Sequence, residues 1–161
     1  QNSQRSQYSY LCNYNQIVMA SSNIGFFTEN SGFRPKNVKK IREWLLAVIH
    51  AEGKSVGEIS FIFCDDNYLH EMNLKYLSHD TLTDVITFDY SEGSILSGDV
   101  FISIERVREN AVNFMKPLND EIHRVMVHGV LHLCGYKDKT KKDSAIMRGK
   151  EETYLALFPH H

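Results

Sequence analysis

The chain has 161 residues, 42% hydrophobic and 24% charged, a composition that excludes collagen-like, low-complexity and wholly disordered classes. A single domain of this length buries roughly 68–70% of the surface its unfolded chain exposes, so a core forms without staples. With 18 Lys and Arg against 20 Asp and Glu, the formal charge of −2 excludes a strongly basic nucleic-acid coat protein but leaves room for a nucleic-acid enzyme whose positive charge is local.

Residues 1–18, rich in Asn, Gln, Ser and Tyr, show no sustained period and read as a flexible extension introduced by cloning, with Met19 as the native start. Residues 19–161 then form one domain. Ile24 to Phe27 suits a first strand. Asn37 to Ala51 sets Val38, Ile41, Leu45, Val48 and Ile49 at helical spacing, with Gly53 as the stop. Glu58 to Cys64 alternates as a strand does. Asp65 and Asp66 open a helix whose apolar side carries Leu69, Met72, Leu74 and Tyr76. His79 to Thr83 is a polar loop, Val85 to Phe88 a strand, and residues 91–94 a turn. Ser97-Gly98-Asp99 leads into another strand, and Glu105 to Phe114 returns to helical spacing. Pro117 and Asn119 mark a break and a cap for a helix from about Asp120, and the last helix runs from Asp143 to Leu157. The order β-α-β-α-β-β-α-α-α predicts an α+β fold, a small mixed sheet with several helices packed on it.

Three scattered cysteines, Cys12, Cys64 and Cys134, make neither a disulfide framework nor a paired Cys-x-x-Cys zinc site. They read as reduced thiols and point to a cytoplasmic protein. A secretory signal is not expected, because the first residues carry one cation, Arg5, and no apolar segment. No apolar run approaches the roughly 20 residues of a membrane helix, so no membrane partner is expected.

The informative segment is Glu121 to Leu133. At about 100° per residue, Ile122, Val125, Met126, Gly129 and Leu133 share one buried stripe. His128 and His132 lie roughly 40° apart at its edge, one turn from each other, close enough to bind one cation. Gly135 supplies a left-handed turn that reverses the chain, and Asp138 follows in reach of the same ion. Two imidazoles and one carboxylate with a fourth position open is the ligand count of a catalytic zinc site, which makes a water nucleophilic near neutral pH. A bare His pair at this spacing is more often an exposed polar pair or a satisfied core pair; the glycine turn and the following carboxylate favour ligation. Asp138 has an alternative partner in Lys137, Lys139 or Lys141.

One class of zinc protease shares this spacing but has Glu directly after the first His as its base; Gly129 stands there instead, which argues against peptide hydrolysis. His123 lies about 140° around the helix from His128 and cannot share the ion. Cys134 reads as a packed thiol. Glu121 lies in the histidines' sector two turns away, either as a first-turn charge favouring the helix dipole or as an orienter of the ligands, and the first reading weighs more.

His128-Gly129-Val130-Leu131-His132-Leu133-Cys134-Gly135-Tyr136 closely resembles the signature of the YbeY family of rRNA maturation factors. Asn73 to Phe88 and Gly98 to Ser103 are also similar to that family, and the resemblance spans about residues 20–157. It implies a zinc-dependent, single-strand-specific endoribonuclease of 16S rRNA maturation and ribosome quality control, with the ion in a cleft of an α+β domain. Two positions depart from the pattern. The third ligand, usually the His of Gly-Tyr-Asp-His, is Asp138 here; aspartate ligates zinc and also admits harder ions. Where the family generally has an arginine important for activity, this chain has Leu77, which cannot donate to a phosphate. His79, two residues on, is a candidate substitute when protonated, against the plainer reading of a loop histidine.

Lys36, Lys39, Lys40 and Arg42 read as a solvated face, whereas Lys137, Lys139, Lys141 and Lys142 stand beside the ion and are the candidates for RNA contact. The expected protein is a metal-dependent endoribonuclease holding one divalent ion, zinc, on His128, His132 and Asp138. Single-stranded RNA, 16S rRNA and the small ribosomal subunit are its expected partners. The alternatives are a metal-stabilised ribosome- or RNA-binding protein with weak or no nuclease activity, and a metal-dependent hydrolase of another substrate.

Overall fold

The computed structural model describes residues 23–77 and 83–159; the expected extension over 1–18, the start at Met19 and the candidate His79 lie outside the described residues. Among the described residues nine elements follow in the expected order: β1 (Ile24–Glu29), α1 (Val38–Ala51), β2 (Ser55–Cys64), α2 (Asp66–Leu77), β3 (Val85–Asp89), β4 (Ile95–Ser103), α3 (Ile104–Asn113), α4 (Leu118–Leu133) and α5 (Lys141–Leu155). The four strands form one sheet in the order β1-β2-β4-β3. β1 runs parallel to β2 and β2 parallel to β4, while β3 returns antiparallel along β4 and forms the edge. Parallel neighbours need crossover connections, and α1 and α2 provide them. The result is the α+β mixed sheet with packed helices that the sequence predicts.

The second strand explains the two layers. Because side chains alternate, Ile59, Phe61 and Phe63 face one side, Ile62 and Cys64 the other, and all five are buried. The larger core joins the first set to Val100 and Ile102 of β4, to Trp44, Leu45, Val48 and Ile49 of α1, and to Val125, Met126 and Val130 of α4. The smaller one gathers Ile62, Cys64, Ile86 and Phe101 beneath Leu69 of α2. Full burial of each of these side chains favours folding by roughly 1.5–3 kcal/mol.

Several boundaries shift for identifiable reasons. β4 begins at Ile95, ahead of Ser97, because Ile95 and Leu96 pair with Ser55 and Val56. α4 begins at Leu118 rather than near Asp120; Pro117 occupies the cap position, its carbonyl accepts from the Glu121 N–H at 3.2 Å, and Asn119 is already inside the first turn. α5 starts at Lys141 rather than Asp143, since the Thr140 hydroxyl accepts from the Asp143 N–H at 3.0 Å. On α2 the expected apolar side is narrower than Leu69-Met72-Leu74-Tyr76. Leu69 is buried and Met72 packs on the smaller core, but Leu74 is 44% and Tyr76 38% exposed. That helix covers only one flank of the sheet, and the Tyr76 ring meets Phe88 edge-on at 5.8 Å.

Candidate metal centre

Helix α4 lies across the sheet, and the stripe expected from its period, Ile122, Val125, Met126, Gly129 and Leu133, is buried along with Val127, Val130 and Leu131. His128 and His132 fall at the margin of this buried surface. Gly129 explains how close the helix sits: a Cβ at that position would lie 2.8 Å from Val100 Cγ1 on β4. No room exists there for the glutamate of a zinc protease. Gly129→Ala forces a stiff β-branched neighbour to move, and should lower the unfolding free energy by about 1–3 kcal/mol in a urea titration despite alanine's better helix propensity. An unchanged or higher midpoint would contradict this packing.

The helix ends at Cys134 and Gly135 takes φ 104°, the left-handed region that favours glycine. Its N–H donates to the His132 carbonyl at 3.0 Å, and the Tyr136 N–H to the Leu131 carbonyl at 3.1 Å, a Schellman ending. The reversal brings the Tyr136 carbonyl to His132, whose Nδ1 donates to it at 2.9 Å. It also carries Asp138 back over both rings. Asp138 Oδ2 stands 3.2 Å from His128 Nε2 and 3.2 Å from His132 Nε2, and the two Nε2 atoms are 3.0 Å apart.

The donor set fits a cation. A carbonyl only accepts, so His132 carries its proton on Nδ1; His128 donates its own Nδ1–H to the Glu151 carboxylate at 3.2 Å. In the neutral rings both Nε2 lone pairs therefore point at each other and at a carboxylate oxygen. Three electron-pair donors so placed repel unless a proton or a cation lies among them. Ligands of a tetrahedral zinc ion, each about 2.0–2.1 Å from it, stand roughly 3.3 Å apart, close to the separations found. Among the described residues, His128, His132 and Asp138 form the group suited to hold a metal ion.

Behind His128 lies a charged network that the sequence reading missed. Arg124, one turn before His128, donates through Nη2 and Nε to Glu121 Oε1 at 2.6 and 2.9 Å, and through Nη1 to Glu151 Oε1 at 2.9 Å. Its Nη2 also stands 3.6 Å from Asp84 Oδ2. Glu121 is a first-turn charge of α4, as expected, but not one that faces solvent. It is a buried carboxylate, its side chain 3% exposed, whose bonds go to Arg124 rather than to either histidine. Burial works against the Arg124 charge, but Glu121 and Glu151 outweigh that penalty and push the guanidinium above its usual range. Burial likewise pushes the Glu151 carboxyl up, yet hydrogen bonds from His128 and Arg124 and the guanidinium charge hold it below the ordinary carboxylate value. A signal for Glu151 was present in the sequence: Met147, Glu151 and Tyr154 share one face of α5, an acidic group on an otherwise apolar stripe.

His123 stacks on Phe158 with ring centroids 4.0 Å apart, away from the cluster. Cys134 packs against the larger core, and burial pushes its thiol up to about 11. His128, His132 and Asp138 open on a cleft of ≈ 700 Å³ whose walls include Leu77, Asp84, Thr87 of edge strand β3, Arg124 and Lys139. Lys137, Lys141 and Lys142 are exposed beside it without lining it. Leu77, where the resemblance implies an arginine, is 42% exposed on that wall.

An α+β domain in which two helical imidazoles and a carboxylate meet at an open cleft has the donor set of a metal-dependent hydrolase. The comparisons with known proteins narrow this. The family model described as Endoribonuclease YbeY matches residues 25–158. The chain is 50% identical over 140 residues to the Endoribonuclease YbeY of Christiangramia forsetii, covering 87% of this chain and 97% of that one. It is 62% identical over 115 residues to the Endoribonuclease YbeY of Flavobacterium psychrophilum, covering 71% and 82%. Among solved structures it resembles the solution structure of TM1509 from Thermotoga maritima, with a TM-score of 0.60 and 28% identity over 82% of this chain and 86% of that one. The chain belongs to the YbeY endoribonuclease family.

Proposed function

We propose that residues 19–161 form a single-strand-specific, zinc-dependent endoribonuclease that acts in the cytoplasm on 16S rRNA during maturation of the small ribosomal subunit. The observation that carries this reading is the convergence of His128 Nε2, His132 Nε2 and Asp138 Oδ2 at 3.0–3.2 Å on the floor of an open cleft. A divalent ion held there supplies Lewis acidity toward a phosphate oxygen and lowers the pKa of water. The chain's own residues do the rest. Glu151 and the Tyr136 carbonyl fix the two rings, and Lys139 places a positive charge on the cleft wall to receive the RNA backbone. Among the described residues no helix is long and apolar enough to cross a membrane.

A second reading has its own observation. Leu77 lines the cleft where the family resemblance leads one to expect an arginine, and Arg124, the guanidinium that does line it, is already held by three carboxylates. An RNA-binding protein with little nuclease activity would look like this. The deciding experiment incubates the purified chain with single-stranded RNA, with and without chelator and with zinc restored. Chelator-sensitive, zinc-restored cutting supports the nuclease, and binding without cutting supports the second reading.

Charge reversal at Lys139, Lys141 and Lys142 should weaken single-strand binding about tenfold or more and flatten its salt dependence, since each phosphate contact releases counterions. Unchanged affinity and unchanged salt slope would remove these lysines from the RNA path.

A further inference from the structure

Two consecutive residues of α5, Lys150 and Glu151, reach the two sides of the metal centre. Lys150 lies over the Tyr136 ring at 5.6 Å and pairs with Glu52 at 3.4 Å, bracing the turn whose carbonyl holds His132. Glu151 reaches His128 directly. Its carboxylate is divided: Oε1 accepts from Arg124 Nη1 at 2.9 Å, and Oε2 from His128 Nδ1 at 3.2 Å. The side chain is 8% exposed, so water offers it little alternative. Arg124 is in turn pinned by Glu121, whose side chain is 3% exposed. The chain Glu121–Arg124–Glu151–His128 therefore runs from the start of α4 across to α5 and back to the site.

We infer that Glu151 is a positioning residue. Held by Arg124, it dictates which nitrogen of His128 carries the proton, and so presents Nε2 as a bare lone pair toward His132 and Asp138. This inference deepens the metal-site reading above and rests on it for its functional meaning, though the proton position is a property of the protein alone. Arg124 serves this relay and does not clamp phosphate, because Glu121, Glu151 and Asp84 surround it with three negative charges for its one.

Glu151→Gln inverts the arrangement with almost no change of shape. A glutamine has one accepting oxygen, and the charge of Arg124 claims it. The amide N–H then faces His128, Nδ1 must accept, and the proton moves to Nε2, the atom that should bind the ion. Nitrogen-15 correlation spectra of the metal-free protein, recorded above the imidazole pKa, report the tautomer directly. The wild type should show His128 protonated at Nδ1, and Glu151→Gln should show it at Nε2, with His132 unchanged in both. Zinc titration should find the variant binding roughly tenfold to a hundredfold more weakly. Glu151→Asp, which keeps two oxygens, should retain the wild-type tautomer and recover part of the affinity.

A wild-type spectrum with His128 protonated at Nε2 overturns the inference without recourse to any variant. So does a Glu151→Gln protein that keeps the Nδ1 proton and full affinity. If instead the tautomer switches as described while the wild type binds no zinc, the positioning role stands and the metal-dependent function falls.

Discussion

Replacing His132 by alanine should reduce chelator-sensitive RNA cleavage by at least roughly a thousandfold while leaving the fold in place. Metal assistance contributes several kcal/mol to a transition state, and each 1.4 kcal/mol is a factor of about ten in rate. Removing one of three ligands forfeits most of that. The structural cost is small, because the ring is partly exposed and its bond to the Tyr136 carbonyl contributes only about 1 kcal/mol. Cleavage that survives both the substitution and chelation would mean that the reaction does not pass through this centre.

The largest effect on stability should come from a residue that binds no ion. Arg124→Met leaves the carboxylates of Glu121 and Glu151 buried with their shared cation gone, and Asp84 without its guanidinium neighbour. Breaking a buried pair from one side costs about 3–5 kcal/mol, a large part of the roughly 5–15 kcal/mol that holds a domain together. The urea midpoint should fall accordingly. Adding Glu121→Gln to Arg124→Met should recover a substantial part of the loss, since it removes one of the stranded charges. A single variant within about 1 kcal/mol of wild type would show that the network is solvated and slack.

Local chemistry and periodicity made much of this molecule readable in advance. The element order was legible because each strand alternates and each helix repeats on its own, and because Gly53 and Gly135 stop α1 and α4. The core of the site was legible for the same reason: His128, His132, Gly135 and Asp138 lie within one helix turn and one reversal, so spacing alone brings the side chains near each other. What spacing could not show was what tertiary packing decides. Glu121 lies only three residues from its partner Arg124, yet its burial is set by the tertiary packing around it, and Glu151 reaches His128 across 23 positions of chain. Leu74 and Tyr76 looked like core because periodicity marks a stripe, whereas the width of the surface that covers it belongs to the neighbouring elements. Gly129 read as a missing catalytic carboxylate; the packing adds that β4 leaves no space for any side chain there.

The central claim is that His128, His132 and Asp138 together hold one cation. Metal analysis of protein purified without chelator, by mass spectrometry beside an accurate protein concentration, tests it most directly. One zinc per wild-type chain is expected, falling to a small fraction in each of His128→Ala, His132→Ala and Asp138→Ala. A wild-type chain that retains and takes up no stoichiometric metal, or an Asp138→Ala protein as fully loaded as wild type, would contradict it.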